Sequence, residues 1–317
     1  LTSPTPLHDK RIGIALGSGS ARGWSHIGVL KALAEMGIRP GIVAGSSTGA
    51  LVGAAYANNQ QQQLESWVYS LSWKDIANYM DLSVVGGGFI QGEKLLKFAR
   101  SHTDNPSIES LPISFAAVAT ELDTGREIWL RDGPLLEAVR ASISLPGLFA
   151  PVKQDDRWLI DGGVVDPVPV SLCRAMGAEI VIAVNLNGGI VGKHSRNKRD
   201  MKLKKREENN RIALLERVSA QLKNSLHERR DIFLSQLFGE NRHTPGLFDV
   251  MAGSLNIMQD RITRSRLAGD PPDIMLEPKL DHIGLMEYDK GEEAIAEGHA
   301  CVTRMAEQLR SLLTNNL

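Results

Sequence analysis

Apolar positions in the first part of the chain switch repeatedly between two patterns. Short continuous runs alternate with runs at three- and four-residue spacing, as buried strands alternate with helices. Arg11 to Leu16 is an apolar run that stops at glycines, and Ile27, Leu30 and Leu33/Ala34 follow at helical spacing until Gly37. Gly41 to Gly45 reads as a second buried strand and Ala50 to Tyr56 as a tightly packed helix of small residues. Phe115 to Thr120 and Glu127 to Leu130 predict a hairpin across Asp123-Thr124-Gly125. Trp158 to Ile160 predicts a strand, Val168 to Met176 a helix, and Glu179 to Leu186 a strongly apolar strand. This alternation predicts an α/β fold, with helices on both faces of a mostly parallel central sheet.

Beyond Asn187 the pattern changes. Lys193 to Arg206 is rich in Lys and Arg and reads as an exposed basic connector. Helical periodicity resumes at Ile212, Leu215, Val218/Ser219 and Leu222. Further stripes are Phe248, Met251, Leu255, Met258, Ile262, and then Ile295, Val302, Met305, Leu309, Leu312. Core packing is the expected use of these Met-containing stripes. The pattern suggests a core over residues 8–190, a connector over 191–210, and a helical part over 211–317 that packs on the core. No repeat of solenoid length is present.

Composition narrows the classes. The chain has 317 residues, 42% hydrophobic and 23% charged, with a formal net charge of −1. So much apolar content can bury a large core, which excludes disorder for most of the chain. Near-neutral charge gives no reason to expect a nucleic-acid partner. No apolar run reaches the roughly 18 residues of a membrane span. The chain begins at Leu1 rather than Met, which leaves a removed leader open, although Leu1 to Lys10 lacks the apolar core of a signal peptide. Two cysteines, Cys173 and Cys301, fit a reducing compartment and lack metal-ligand spacing, so a cytoplasmic protein is expected.

Three short motifs carry the chemistry. Gly17-Ser18-Gly19-Ser20-Ala21-Arg22-Gly23 lies between a strand and a helix, where backbone N–H groups and a positive helix end suit an anion. A dinucleotide fingerprint needs its third glycine where Arg22 stands and an acid at the end of the second strand; here that strand ends in Gly45-Ser46-Ser47. No Gly-Lys-Ser/Thr triplet marks a Walker loop. A tight turn without a ligand stays open. Gly45-Ser46-Ser47-Thr48-Gly49 matches Gly-x-Ser-x-Gly between a strand and a helix, the setting of a nucleophile elbow. Its competing reading is a serine cap on the following helix. A right-handed β-α-β crossover makes the two loops neighbours, so the Gly19 and Ser20 N–H groups are candidates for an oxyanion hole over Ser47. Asp161-Gly162-Gly163 follows the strand Trp158 to Ile160, which makes Asp161 a candidate proton acceptor or, more plainly, a turn residue.

Together these motifs resemble the bacterial patatin-like phospholipases, closest to the RssA-type, neuropathy-target-esterase-like branch. A fourth block, Ala141-Ser142-Ile143-Ser144-Leu145-Pro146, matches the family's Ala-Ser-x-x-x-Pro, and the likeness runs from about Arg11 to Leu186. Val118-Ala119-Thr120 with Thr124-Gly125, and Ala268-Gly269-Asp270-Pro271-Pro272-Asp273, are similar to that branch too. The resemblance implies a three-layer α/β/α fold with extra C-terminal helices and a Ser-Asp dyad. In it Ser47 is the nucleophile, Asp161 the base, and Gly19 and Ser20 the oxyanion donors. It implies a lipid or other acyl ester as substrate, and no cofactor or metal. Arg22 matches the motif's basic residue and is expected to hold the loop. Gly17, Gly23, Gly45, Gly49, Gly162 and Gly163 complete the motifs. The sequence departs from the family's all-glycine loop at Ser18 and Ser20, and Ser20 is expected to need an unusual backbone angle. Thr48 replaces a bulkier residue.

Two other readings compete. A conventional Ser-Asp-His hydrolase would draw its base from His282 or His299, although the elbow comes unusually early for that fold and His299 lies in a helical stripe. His26 reads as a packed residue. A histidine base gives an acid limb near pH 6.5, which an aspartate base need not. The second reading is a non-catalytic regulatory protein that keeps the fold. Val84 to Ile90, apolar and carrying consecutive glycines, is expected to cover the acyl site. Lys193 to Arg206 is expected to make weak peripheral contact with an anionic membrane.

Overall fold

A computed structural model describes residues 11–71, 105–188 and 247–315 of the chain. The expected lid (84–90), the basic segment 193–206 and the stripe from Ile212 to Leu222 lie outside the described residues. The chain divides into two compact units, one of residues 1–188 with 258–317 and one of residues 189–257.

Among the described residues the first unit is built on an eight-stranded sheet. Its strands are β1 (Ile12–Leu16), β2 (Ile42–Ser46), β3 (Ser114–Glu121), β4 (Glu127–Leu130), β5 (Val152–Gln154), β6 (Arg157–Asp161), β7 (Ile180–Val184) and β8 (Ile274–Leu276). The strands pair in the order β5-β6-β3-β2-β1-β7-β8, with β4 also on β3. The central pairs β3-β2, β2-β1, β1-β7 and β7-β8 are parallel, and β4, β5 and β6 join antiparallel. β1, β2 and β7 are apolar almost throughout because both faces of the sheet are covered.

The α-helices among the described residues are α1 (Ser25–Glu35), α2 (Thr48–Ala57), α3 (Gln61–Ser70), α4 (Leu135–Ser142), α5 (Val170–Ala175), α6 (Leu247–Gly269), α7 (Gly291–Arg304) and α8 (Ala306–Asn315). Alternation along the strands divides the core into two layers. Ile14, Leu16, Val43, Ala117 and Ile182 pack in one cluster with apolar residues of α1, α2, α4 and α7. Ala15, Ala44, Val118 and Val181 pack in the other with Val170, Leu172 and Cys173 of α5, against which Leu267 of α6 also rests. This is a three-layer α/β/α fold with additional C-terminal helices.

Each strand and helix expected before residue 187 is present. The C-terminal stripe also behaves as expected: Ile295, Val302 and Leu309 are buried, and Met305 and Leu312 pack against them. The stripe on α6 does not. Met251 and Met258 are 40% and 51% exposed, and from Met258 onward the buried side of that helix carries Gln259, Asp260 and Thr263. Periodicity records a face but not what covers it. Here the covered face is polar because it meets hydrogen-bonding groups: the Asn187 amide donates to Gln259 Oε1 at 3.1 Å.

α7 crosses α1 backbone against backbone. A Cβ on Gly28 would collide with the Ile295 carbonyl, and one on Gly298 with the Ser25 carbonyl. In an open helix interior Gly→Ala gains about 1 kcal/mol. At this crossing neither carbonyl can yield without moving a helix, so overpacking dominates. Gly298→Ala is therefore expected to lose about 2 kcal/mol or more of stability, read as a lower urea midpoint at unchanged m-value. A rise in the midpoint would show that the helices do not cross this closely.

Candidate active site

The site forms where two strands meet end to end on one side of β3. Ala117 pairs with Gly45 of β2 and with Leu130 of β4, so those strands flank it on opposite sides. Ala119 pairs with Ile128 of β4 and with Asp161 of β6. β2 and β6 therefore share the side of β3 opposite β4. β2 runs parallel to β3 and stops at Ser46, opposite Val118; β6 runs antiparallel and stops at Asp161, opposite Ala119. Their carboxyl ends face each other, and Ser47 follows directly.

Ser47 sits at the head of α2 with φ 56° and ψ −125°, a conformation that costs a non-glycine residue about 1–3 kcal/mol. Its side chain does not cap α2. Its Oγ–H donates instead to Asp161 Oδ2 at 2.5 Å. The elbow is held by Ser142, whose Oγ accepts the Ser47 N–H at 2.9 Å. The motif glycines let backbones close in. A Cβ on Gly49 would strike the Leu16 carbonyl, and one on Gly162 the Val118 carbonyl. Gly45 lies against Ala50, and Gly23 against Thr48.

Asp161 is completely buried. Its Oδ1 accepts the Gly163 N–H at 2.7 Å, its carbonyl accepts Thr120 Oγ1 at 2.8 Å, and its N–H donates to the Ser144 carbonyl at 2.9 Å. One carboxylate oxygen therefore closes the Asp-Gly-Gly turn, and the other accepts the Ser47 hydrogen bond. Burial drives the carboxyl pKa up to about 7, against the opposing pull of the Ser47 and Gly163 hydrogen bonds. That value removes the contrast in pH profile expected between an aspartate and a histidine base.

The glycine-rich loop lies beside the elbow. Thr48 Oγ1 donates to the Ser20 carbonyl at 3.0 Å, so Thr48 ties the two loops rather than merely replacing a larger residue. Gly17 N–H donates to Val184 O and Ser18 N–H to Pro167 O, while the Ala21 and Arg22 N–H groups donate to Leu285 O and Gly19 O. The Gly19 and Ser20 N–H groups have no acceptor among the described residues. Ser20 adopts φ 51°, the unusual angle expected of it. Arg22 is buried beneath the loop, where its Nε donates to Gly19 O at 3.3 Å. Desolvation lowers its pKa to about 10, which leaves it a cation and a brace at neutral pH.

The histidines go elsewhere. His282 and His299 pair with Glu293 and Glu35, each at 2.8 Å. His26 is fully buried, with Nε2 2.7 Å from Gly17 O. Burial lowers its pKa to about 4, so it is neutral and donates from Nε2. Ser142, Ser144 and Thr120 belong to sequence blocks noted for their resemblance, but their partners are not deducible from those blocks. Asn187, Gln259 and Tyr288 carry no local signal. Among the described residues no group of three or more His, Cys, Asp and Glu is arranged around a metal position.

The three-layer fold thus places a strained serine beside a buried carboxylate at the meeting of two strand ends. Residues 14–174 match the family model described as patatin-like phospholipase. The chain belongs to that family and is a carboxylic ester hydrolase of lipid acyl hydrolase type. An uncharacterized NTE family protein of Mycobacterium tuberculosis strain H37Rv is 34% identical over 94% of this chain and 91% of its own length. Patatin-like phospholipase domain-containing protein 6 of Homo sapiens is 33% identical over 57% of this chain and 14% of that protein. Lysophospholipase NTE1 of Coccidioides immitis is 31% identical over 57% of this chain and 12% of that protein.

A raised carboxyl pKa has a consequence for stability. Asp161 binds a proton more tightly folded, at about 7, than unfolded, near its ordinary 3.8. The associated stability is present in full below pH 3.8 and is lost as pH rises through about 7. Asp161→Asn has no charge to bury. It is expected to exceed the wild type by about 2–4 kcal/mol at pH 8, with the margin shrinking toward pH 5. Thermal melts of both proteins across that range check this; a margin independent of pH would contradict the burial of an ionised carboxylate.

Proposed function

We propose that the chain is a serine lipid acyl hydrolase of phospholipase or lysophospholipase type, with Ser47 as nucleophile, Asp161 as base and residues 8–190 as the catalytic part. The observation that carries this reading is the 2.5 Å hydrogen bond from a strained serine to a buried carboxylate. The acyl carbonyl of the substrate docks with its oxygen toward the Gly19 and Ser20 N–H groups. Ionised Asp161 takes the Ser47 proton as Oγ attacks, and the two N–H groups with the positive end of α2 stabilise the tetrahedral anion. Collapse expels the alcohol, which takes the proton from Asp161. Water then enters and attacks the acyl carbon while giving a proton to Asp161; the bond to Ser47 Oγ breaks, Asp161 returns the proton to Oγ, and the fatty acid leaves.

The raised pKa supports the assignment. A base at its ordinary carboxylate pKa is weak, whereas one near 7 is matched to neutral operation. kcat/KM is expected to rise with pH through about 7 as Asp161 ionises. Likeness to the lysophospholipase of Coccidioides immitis favours a lysophospholipid among the acyl esters.

Variants decide between a dyad and a triad where the pH profile does not. Ser47→Ala and Asp161→Asn are each expected to lose at least about 10³-fold in turnover of p-nitrophenyl esters and lysophospholipid, whereas His282→Ala and His299→Ala stay within about tenfold of wild type. A histidine variant as inactive as Ser47→Ala, with its circular dichroism intact, would move the protein to the conventional triad hydrolases. Failure of the wild type to react with a fluorophosphonate probe would favour a regulatory protein without catalysis.

The same reading requires the enzyme to meet a lipid surface. Among the described residues no helix is long and apolar enough to cross a membrane. We assign weak peripheral contact at the cytoplasmic face to the basic segment 193–206, each Lys or Arg being worth about 1 kcal/mol beside an anionic leaflet. Co-sedimentation with anionic liposomes is expected to fall with salt and on neutralising Lys202, Lys204 and Lys205. Binding indifferent to both would remove this contact.

A further inference from the structure

We infer that Tyr288 and Ser20 form a positioning pair that holds the anion-binding loop in its working shape. The inference rests on the reading of Ser47 and of the Gly19 and Ser20 N–H groups given above. It supplies what the departure from an all-glycine loop leaves unexplained. A glycine at position 20 would adopt φ 51° freely; a serine there needs something to hold it.

Hydroxyl proton counting fixes the direction of the bonds. Ser20 Oγ lies 2.6 Å from the Leu285 carbonyl, which can only accept, so the single Ser20 hydroxyl proton is committed there. Ser20 Oγ is also 2.6 Å from the Tyr288 hydroxyl. Tyr288 must therefore donate into Ser20. The result is a directed chain from the Tyr288 O–H to Ser20 Oγ and on to Leu285 O. Leu285 O also takes the Ala21 N–H at 3.2 Å, so one segment grips two consecutive loop residues. Burial raises the Tyr288 pKa, and the nearby Asp161 carboxylate adds to the rise, so the phenol keeps its proton at neutral pH.

The tyrosine ring is itself held. Trp24 Nε1 donates to the Tyr288 carbonyl at 3.3 Å, and the two rings meet edge to face with centroids 6.0 Å apart. Trp24 in turn stands perpendicular to Trp67 at 5.9 Å. Tyr288 opens the short 3-10 turn Tyr288–Lys290 that leads into α7. It lies well beyond residues 14–174, which the family model covers. The brace is therefore contributed by the C-terminal part of this chain.

Steady-state kinetics on a p-nitrophenyl ester, with hydrogen exchange of the loop peptide, tests the pair. Tyr288→Phe is expected to lower kcat about tenfold with KM within about twofold, since the lost bond misaligns donors used most in the transition state. Ser20→Ala is expected to match it, and the double variant to be no worse than either single one, because one linkage is removed each time. Adding Ser20→Gly to Tyr288→Phe is expected to restore kcat to within about threefold of wild type, since glycine needs no brace. A purely structural tyrosine would lower the melting temperature without this kinetic pattern. The inference is overturned if Tyr288→Phe keeps kcat within about twofold, or if the two losses simply multiply. If Ser47→Ala retained turnover, the nucleophile assignment alone would fall. The exchange arm would still decide: the Ala21 amide is expected to exchange about tenfold faster in Tyr288→Phe, and unchanged exchange would overturn the pairing.

Discussion

Everything at the site depends on one feature of strand pairing: two strands of opposite direction share the same flank of β3. β2 covers it as far as Val118, and β6 takes over at Ala119. A sheet strand offers only one row of hydrogen-bonding groups on each side, so two partners on one row must stop where they meet. That stopping point is where Ser47 and Asp161 face each other. Chain direction reverses there, and the backbone can continue only by leaving the sheet. Ser47 does so into a strained turn and helix α2, and Asp161 into the Gly162-Gly163 turn.

The same junction accounts for the glycines and for the carboxylate's chemistry. Strand ends that abut leave no room for side chains, so Gly49 and Gly162 pass directly over the carbonyls of Leu16 and Val118. Close approach also buries Asp161 completely. With Asp161 buried beneath the turn, three protein hydrogen bonds satisfy its backbone and its Oδ1, and the Ser47 hydroxyl donates to Oδ2. Desolvation then raises the pKa. The packing that places the pair thus also shifts its titration, and the fold bears a stability cost at the pH where the carboxylate is ionised.

The C-terminal part of the chain is joined to this arrangement rather than appended to it. α7 lies on α1 at a crossing where glycines Gly28 and Gly298 bring backbones together, and α1 is the helix that leaves the glycine-rich loop. The segment before α7 reaches the loop at Ser20 and Ala21. On the other side Gln259 of α6 meets Asn187, whose amide is 3.4 Å from the Ser18 carbonyl. The Gly19 and Ser20 amides have no acceptor among the described residues, and the loop around them is held mostly by neighbouring segments.

The order of strands and helices up to residue 187, the loop and elbow motifs and the candidacy of Asp161 were all legible in the sequence. These are local properties: an apolar run, a helical stripe or a glycine placed for close approach is written in consecutive residues. The sequence also anticipated the strained angle at Ser20 and a packed role for His26. It did not reveal that β6 runs against β3, since strand direction depends on how distant segments close the sheet. Nor did it reveal the basicity of Asp161, because desolvation is a property of everything packed around a group. The polar buried face of α6 was misread for a related reason: period marks a face, and only the neighbour decides whether that face must be apolar. Tyr288 was invisible because its role is a single hydrogen bond to Ser20 across 268 residues of chain, and nothing local distinguishes such a tyrosine.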